Sequence, residues 1–186
     1  MDLAVVKSVD LQAFKDLGAA FGARLQTDLP LARFTAARLG GPADAFLEVR
    51  SLDELVQAAS LLWQAGQTFT ILGGGSNVLV SDLGIRGVVL LNRARRVRFD
   101  LESDPPSVWA ESGANFGRLA RQAAQKGLSG LEWAAGIPGT LGGAVVGNAG
   151  AHGGDMAASL LLAEILHHHG QMEIHRQTWP VKDLQY

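Results

Sequence analysis

Leu11, Phe14, Leu17, Phe21 and Leu25 recur at spacings of three and four, which predicts an amphipathic helix over about residues 10–26. An irregular segment, 35–44, then leads into a short apolar run at 45–49 that reads as a strand. Ser51-Leu52-Asp53-Glu54 places a hydroxyl three residues before a glutamate, the pattern of a capping box. The helix that it opens should reach about Ala65, with Gly66 as its stop. Residues 68–72 form the next apolar run and the next predicted strand. Strand, helix and strand within about 28 residues make a βαβ unit with parallel strands. Whatever follows residue 72 therefore lies at a carboxyl strand end, where open α/β sheets usually hold ligands.

Further on, the pattern predicts short strands at 88–91, 97–99 and 108–111, with Asp104-Pro105-Pro106-Ser107 as the turn between the last two. Phe116, Leu119, Ala120, Ala123 and Ala124 predict another helix, stopped by Gly127. Runs at 160–166 and 172–176 flank His169-Gly170-Gln171 and read as a hairpin. Pro180 can open a short helix near the end of the chain. The change from βαβ to mostly sheet near residue 92 divides the chain into an N-terminal helix (1–27), a first subdomain (28–92) and a second (93–186). The expected class is α+β: a small βαβ sheet, then a mostly antiparallel sheet with helices.

With 186 residues there is room for a substantial core. The formal charge of -2 and pI near 6.2 give no electrostatic footprint for nucleic acid. The absence of cysteine excludes disulfides, thiolate metal sites and a cysteine nucleophile. Charges break up the first residues, and no apolar run approaches the ~18 residues of a membrane span. These features predict a cytoplasmic protein that binds neither membrane nor nucleic acid.

Glycine use changes the picture. Of 23 glycines, three occupy 73–75 and ten lie in 127–154. Gly73, Gly74, Gly75, Ser76 and Asn77 follow one apolar run and precede another, Val78-Leu79-Val80. Backbone without Cβ can wrap closely around a ligand, and successive N–H groups turned inward form a nest for phosphate oxygens. A β-branched residue at Gly74 should close that nest. A glycine-rich turn between strands is the competing reading. The β-type run after Asn77 excludes a Rossmann fingerprint, and the lack of a nearby lysine excludes a P-loop.

The second stretch contains Gly136, Ile137, Pro138, Gly139, Thr140, Leu141, Gly142, Gly143 and Ala144, and runs on to Asn148, Ala149, Gly150 and Ala151. A wall of small residues leaves a slot for a large flat ligand. A compact loop packed on its own alanines is the alternative.

TAARLGGPAD, ILGGGSNVLVSD, SGLEWAAGIPGTLGGAV and GNAGAHGG occur in this order. Together they resemble the UDP-N-acetylmuramate dehydrogenase family, also called UDP-N-acetylenolpyruvoylglucosamine reductases. That family lies within the vanillyl-alcohol-oxidase/PCMH-type FAD-binding superfamily, and the likeness covers about residues 30–186. The resemblance implies non-covalent FAD held between two α+β subdomains. Its pyrophosphate loop falls on Gly73, Gly74, Gly75, Ser76 and Asn77. Its second wall falls on Ile137, Pro138, Gly139, Thr140, Gly142, Gly143, Ala144, Asn148, Gly150 and Ala151. The implied reaction moves hydride from NADPH to FAD and on to the enolpyruvyl ether of a nucleotide sugar. The product, UDP-N-acetylmuramate, is a peptidoglycan precursor, which ties the family to cell shape and division.

Leu184-Gln185-Tyr186 matches the approach to the family's Tyr-Arg-x-Ser motif. The family's arginine, proton-donating serine and glutamate, with a substrate domain, are expected beyond residue 186. No catalytic residue is assigned within the chain, and the chain alone is expected to be inactive. Another oxidase or dehydrogenase of the superfamily, or a non-catalytic flavin-binding chain, are the alternatives.

His167, His168, His169 and His175 could suggest a metal, but strand alternation separates them and points to a solvated hairpin end. Arg93, Arg95, Arg96 and Arg98 read as an exposed strand face, Glu132 as a structural acceptor and Trp133 as core packing. Arg38 lies in a family motif beside Gly40-Gly41, where it can support the flavin site.

Overall fold

A computed structural model describes residues 9–169 and 173–186. Asp10 caps α1 (Leu11–Phe21), its carboxylate accepting from the N–H groups of Gln12 and Ala13 at 2.8 and 3.1 Å. The helix stops well before residue 26, because Gly22 takes φ 58° as its C-cap. Leu25, which fits the helical spacing, instead opens β1 (Leu25–Pro30). It still packs on the same core as Ala13, Leu17 and Phe21, so the apolar spacing survives a change of backbone.

The next elements are β2 (Pro42–Val49), α2 (Leu52–Gln64), β3 (Phe69–Leu72) and β4 (Ile85–Asn92). Ser51 caps α2 by accepting from the Glu54 N–H at 3.2 Å, and Gly66 with φ 61° follows its end. The capping box is only half formed. The Glu54 carboxylate accepts instead from the Arg50 N–H and the Arg24 guanidinium, each at 2.8 Å.

The sheet order is β1-β2-β4-β3. The strands β2 and β3 of the expected βαβ unit are parallel, but β4 lies between them and pairs in parallel with both; β1 is antiparallel to β2. Alternation sends Ala45, Leu47, Val49, Val88 and Leu90 against α1 and α2. Phe46, Leu72, Val89 and Leu91 face the other way, against Leu31 and Val80, and Ala43 joins them because the register shifts between it and Ala45. Phe46 is 2% exposed, and burying such a ring contributes about 1.5–3 kcal/mol.

The remainder contains β5 (Val97–Asp100) paired antiparallel with β6 (Ser107–Ala110), then α3 (Phe116–Gln125) and α4 (Leu141–Val146). After these come β7 (Gly150–Ala151), β8 (Gly154–Asp155), α5 (Met156–Ser159), β9 (Leu162–His169) and β10 (Glu173–Pro180). The last two form the expected hairpin, although part of its predicted second strand, Met172, lies outside the described residues. A third core, built on Phe116, Leu119, Ala120, Ala134, Ala144 and Met156, holds this part together. Among the described residues, no helix is long and apolar enough to cross a membrane.

Candidate functional site

The chain leaves β3 through Gly73, Gly74 and Gly75 into a turn at Ser76 and Asn77. Gly75 is buried with φ 66°, and its carbonyl accepts from the Ala36 N–H at 2.9 Å. A Cβ there would fall on the Phe34 carbonyl oxygen. The positive φ thus belongs to Gly75, whereas Gly74 is required for space: its Cβ would stand 2.8 Å from Gly139 Cα. A Cβ on Gly73 would fall on Thr140 Oγ1. From the other side, Gly139 has φ 107°, and its Cβ would lie 2.6 Å from Ser76 Oγ. The Ser76 hydroxyl donates to the Pro138 carbonyl at 3.4 Å. Two glycine stretches some sixty positions apart in sequence are therefore in direct backbone contact.

Among the described residues, the N–H groups of Gly74, Gly75, Ser76 and Asn77 have no protein acceptor. Consecutive backbone donors of this kind can bind anionic oxygens when they are turned inward. Val78, Leu79 and Val80 do not form the strand that their composition suggests. Val80 turns into the core beside Gly40, and Leu79 is exposed, so the segment packs by single side chains rather than by a ladder.

The second wall is pinned from behind. The N–H groups of Phe116, Leu141 and Gly142 donate to Gly139, Ala114 and Ser112 carbonyls at 3.2, 2.8 and 2.8 Å. Ile137 donates to Ala134, and Thr140 is buried. Gly143 is exposed beyond them. Ala144 is 6% exposed within the third core, so its methyl packs there. Asn148 has φ 38°, and its side-chain oxygen accepts from the Ala157 N–H at 3.0 Å. Gly150 and Ala151 pair with Asp155 and Gly154 in the β7–β8 ladder. The structure thus brings Pro138, Gly139 and Thr140 onto the first loop, while 148–151 follow beyond α4.

Glu132 accepts from the Gly130 N–H at 2.7 Å, a structural role. Trp133 packs edge-on against Phe116 and donates from Nε1 to Gly130 and Ser159, each at 3.1 Å. Arg38 is exposed with φ 55°. Of the four arginines expected on one strand face, only Arg98 lies in a strand, over the Trp109 ring at 5.2 Å. Arg93 is half-buried, and burial followed by repulsion from Arg95 lowers its pKa. The histidines do not form a solvated end. His168 stacks on Trp63 at 5.3 Å, and His167 stacks on His175 and Trp179, because the hairpin folds its rings against neighbours. The side chain of His169 lies outside the described residues.

Sequence reasoning passed over Asn92, Glu111 and Ser112, which tie the walls to the sheet. The available signal was a lone polar residue closing the apolar run of β4, and a carboxylate just after β6.

The family model for the FAD binding domain matches residues 43–174. UDP-N-acetylenolpyruvoylglucosamine reductase of Rubrobacter xylanophilus is 50% identical over 141 residues, covering 75% of this chain and 46% of that protein. The Bacillus subtilis protein of the same name is 44% identical over 144 residues, covering 77% and 47%. The chain spans about half the length of the curated relatives it matches. The crystal structure of UDP-N-acetylenolpyruvylglucosamine reductase from Thermus caldophilus superposes with a TM-score of 0.68 at 31% identity, over 86% of this chain and 53% of that one. A solvent-stable cholesterol oxidase superposes at 0.64 with 18% identity, over 84% and 32%, a likeness of fold alone. With most of its length matched by that family model and two glycine walls in contact, the chain belongs to the FAD binding domain family.

Proposed function

We propose that this chain is the FAD-binding part of an NADPH-dependent reductase of UDP-N-acetylenolpyruvoylglucosamine, a cytoplasmic enzyme of peptidoglycan precursor synthesis. In this reading the division falls at 1–27, 28–92 and 93–186, and the relatives' further length supplies the nucleotide-sugar site. The observation that carries it is the run of N–H groups at Gly74, Gly75, Ser76 and Asn77 that have no acceptor among the described residues, set against Gly139. These donors hold the pyrophosphate of FAD, and residues 137–144 with 148–151 line its second side. Glycine at 73, 74 and 139 lets the two walls meet without an intervening Cβ, so both stand beside one ligand. Bound FAD supplies hydride acceptance from NADPH and donation to the enolpyruvyl double bond. The chain's own part is to orient the group and keep water from one face.

The test is a titration of the purified chain with FAD, followed by flavin fluorescence and by release on denaturation. Saturable one-to-one binding that is lost in Gly74→Val is expected. Equal retention by the variant and the parent would overturn the pyrophosphate assignment.

A further inference from the structure

Behind the contact between the walls runs a short strap, residues 111–114. Asn92 ends β4 and is 4% exposed. Because Leu72 pairs with Leu91, Asn92 stands one residue further along, level with Gly73, where the first wall begins. Its Nδ2 donates to Ser112 Oγ at 2.8 Å, and its Oδ1 accepts from the Ala94 N–H at 3.0 Å. Ser112 is in turn the anchor of the second wall. Its carbonyl accepts from the Gly142 N–H at 2.8 Å, and a Cβ on Gly142 would stand 2.8 Å from its own Cβ.

The rest of the strap is equally fixed. Glu111 is 4% exposed and accepts from the N–H groups of Leu52 at 3.2 Å and Arg96 at 2.7 Å, one on each side of the junction. Gly113 has no room for a side chain, since its Cβ would lie 2.7 Å from Asn92 Oδ1 and 2.5 Å from the Ala94 carbonyl. None of Asn92, Glu111, Ser112 and Gly113 belongs to the three apolar cores.

We infer that Asn92 and Ser112 are positioning residues: their side-chain hydrogen bond, added to the direct Gly74–Gly139 and Ser76–Pro138 contacts, holds the second glycine wall in register against the first, and with it the shape of the FAD site. The link is rigid because both polar ends of the amide are committed. Nδ2 has Ser112 Oγ as its side-chain acceptor, and Oδ1 is used by Ala94. A buried amide donor that loses its acceptor shifts to find another, and the strap moves with it. The inference rests on the FAD reading for its function, but the mechanical part does not.

The experiment uses the full 186-residue chain, whose lack of cysteine makes introduced thiols unique. Spin labels on Gln57→Cys and Arg118→Cys, both exposed and on the helices α2 and α3, report the distance between the two parts without any ligand. In this background Ser112→Ala broadens or lengthens the distance distribution. Leu160→Ala, a trim of the third core at the end of α5, leaves the distribution unchanged. In parallel, FAD titration shows Kd rising about tenfold in Ser112→Ala and less than about twofold in Leu160→Ala, at comparable loss of Tm. An unchanged distribution in Ser112→Ala, or Kd values moving together in both variants, overturns the inference. If the parent chain binds no FAD while Ser112→Ala still changes the distribution, the flavin reading falls and the strap stands.

Discussion

Gly74 and Gly139 face each other so closely that a Cβ on Gly74 would stand 2.8 Å from Gly139 Cα. The obstacle is main chain that is itself hydrogen-bonded through the Gly139 carbonyl to the Phe116 N–H, so it cannot step aside as a side-chain end would. Gly74→Ala should therefore force the walls apart, costing about 1–3 kcal/mol by overpacking and weakening FAD at least tenfold. Isothermal titration with FAD and thermal melts of the same preparation check this. Undiminished affinity would show that the walls are free to part.

Gly75 differs in kind. Its φ of 66° disfavours any L side chain, and a Cβ would fall on the Phe34 carbonyl oxygen. Gly75→Ala is expected to lower stability by about 2–4 kcal/mol, more than Gly74→Ala does, through backbone strain plus collision. Chemical denaturation with unchanged slope measures it; a loss below that of Gly74→Ala contradicts the ranking.

Trp133 tests packing against stacking on a ligand. Its Nε1 is committed to Gly130 and Ser159, and its ring meets Phe116 with centroids 5.5 Å apart. Trp133→Phe removes the donor and should cost about 1–2 kcal/mol of stability while FAD affinity changes less than about twofold. A large rise in Kd at unchanged stability would place the ring in the ligand site instead.

Glu54 carries the clearest pH dependence. The hydrogen bond from Arg24 holds its carboxyl below the ordinary glutamate range, and the Arg50 N–H adds to this. A depressed folded pKa contributes stability that is present above the unfolded value and is lost as pH falls through the folded one. The two side chains are 31% and 28% exposed, so solvent screening limits the pair to about 0.5–1 kcal/mol. The Tm difference between the parent and Glu54→Gln should be constant at neutral pH and shrink in the acid range below ordinary glutamate titration. A difference that grows as pH falls would reverse the assignment.

What the sequence determined by itself was local or compositional. Apolar spacing located α2, β3, α3 and the hairpin, because alternation and helical period follow directly from which side of an element is buried. Clustered glycines marked both walls, since backbone that must approach something closely cannot carry Cβ. Four ordered motifs pointed to the FAD-binding family.

Other features were decided only by tertiary structure. Leu25 fits the helix pattern of Leu11 to Phe21, but Gly22 turns the chain, and Leu25 reaches the same core from a strand. The insertion of β4 between β2 and β3 is a pairing choice that period alone does not encode. Which glycine needs its conformation and which needs its space became visible only when Phe34 and Gly139 were placed beside Gly75 and Gly74. The strap through Asn92 and Ser112 was hidden for the same reason. Its members lie 20 positions apart, and a hydrogen bond between short polar side chains leaves no periodic trace in sequence.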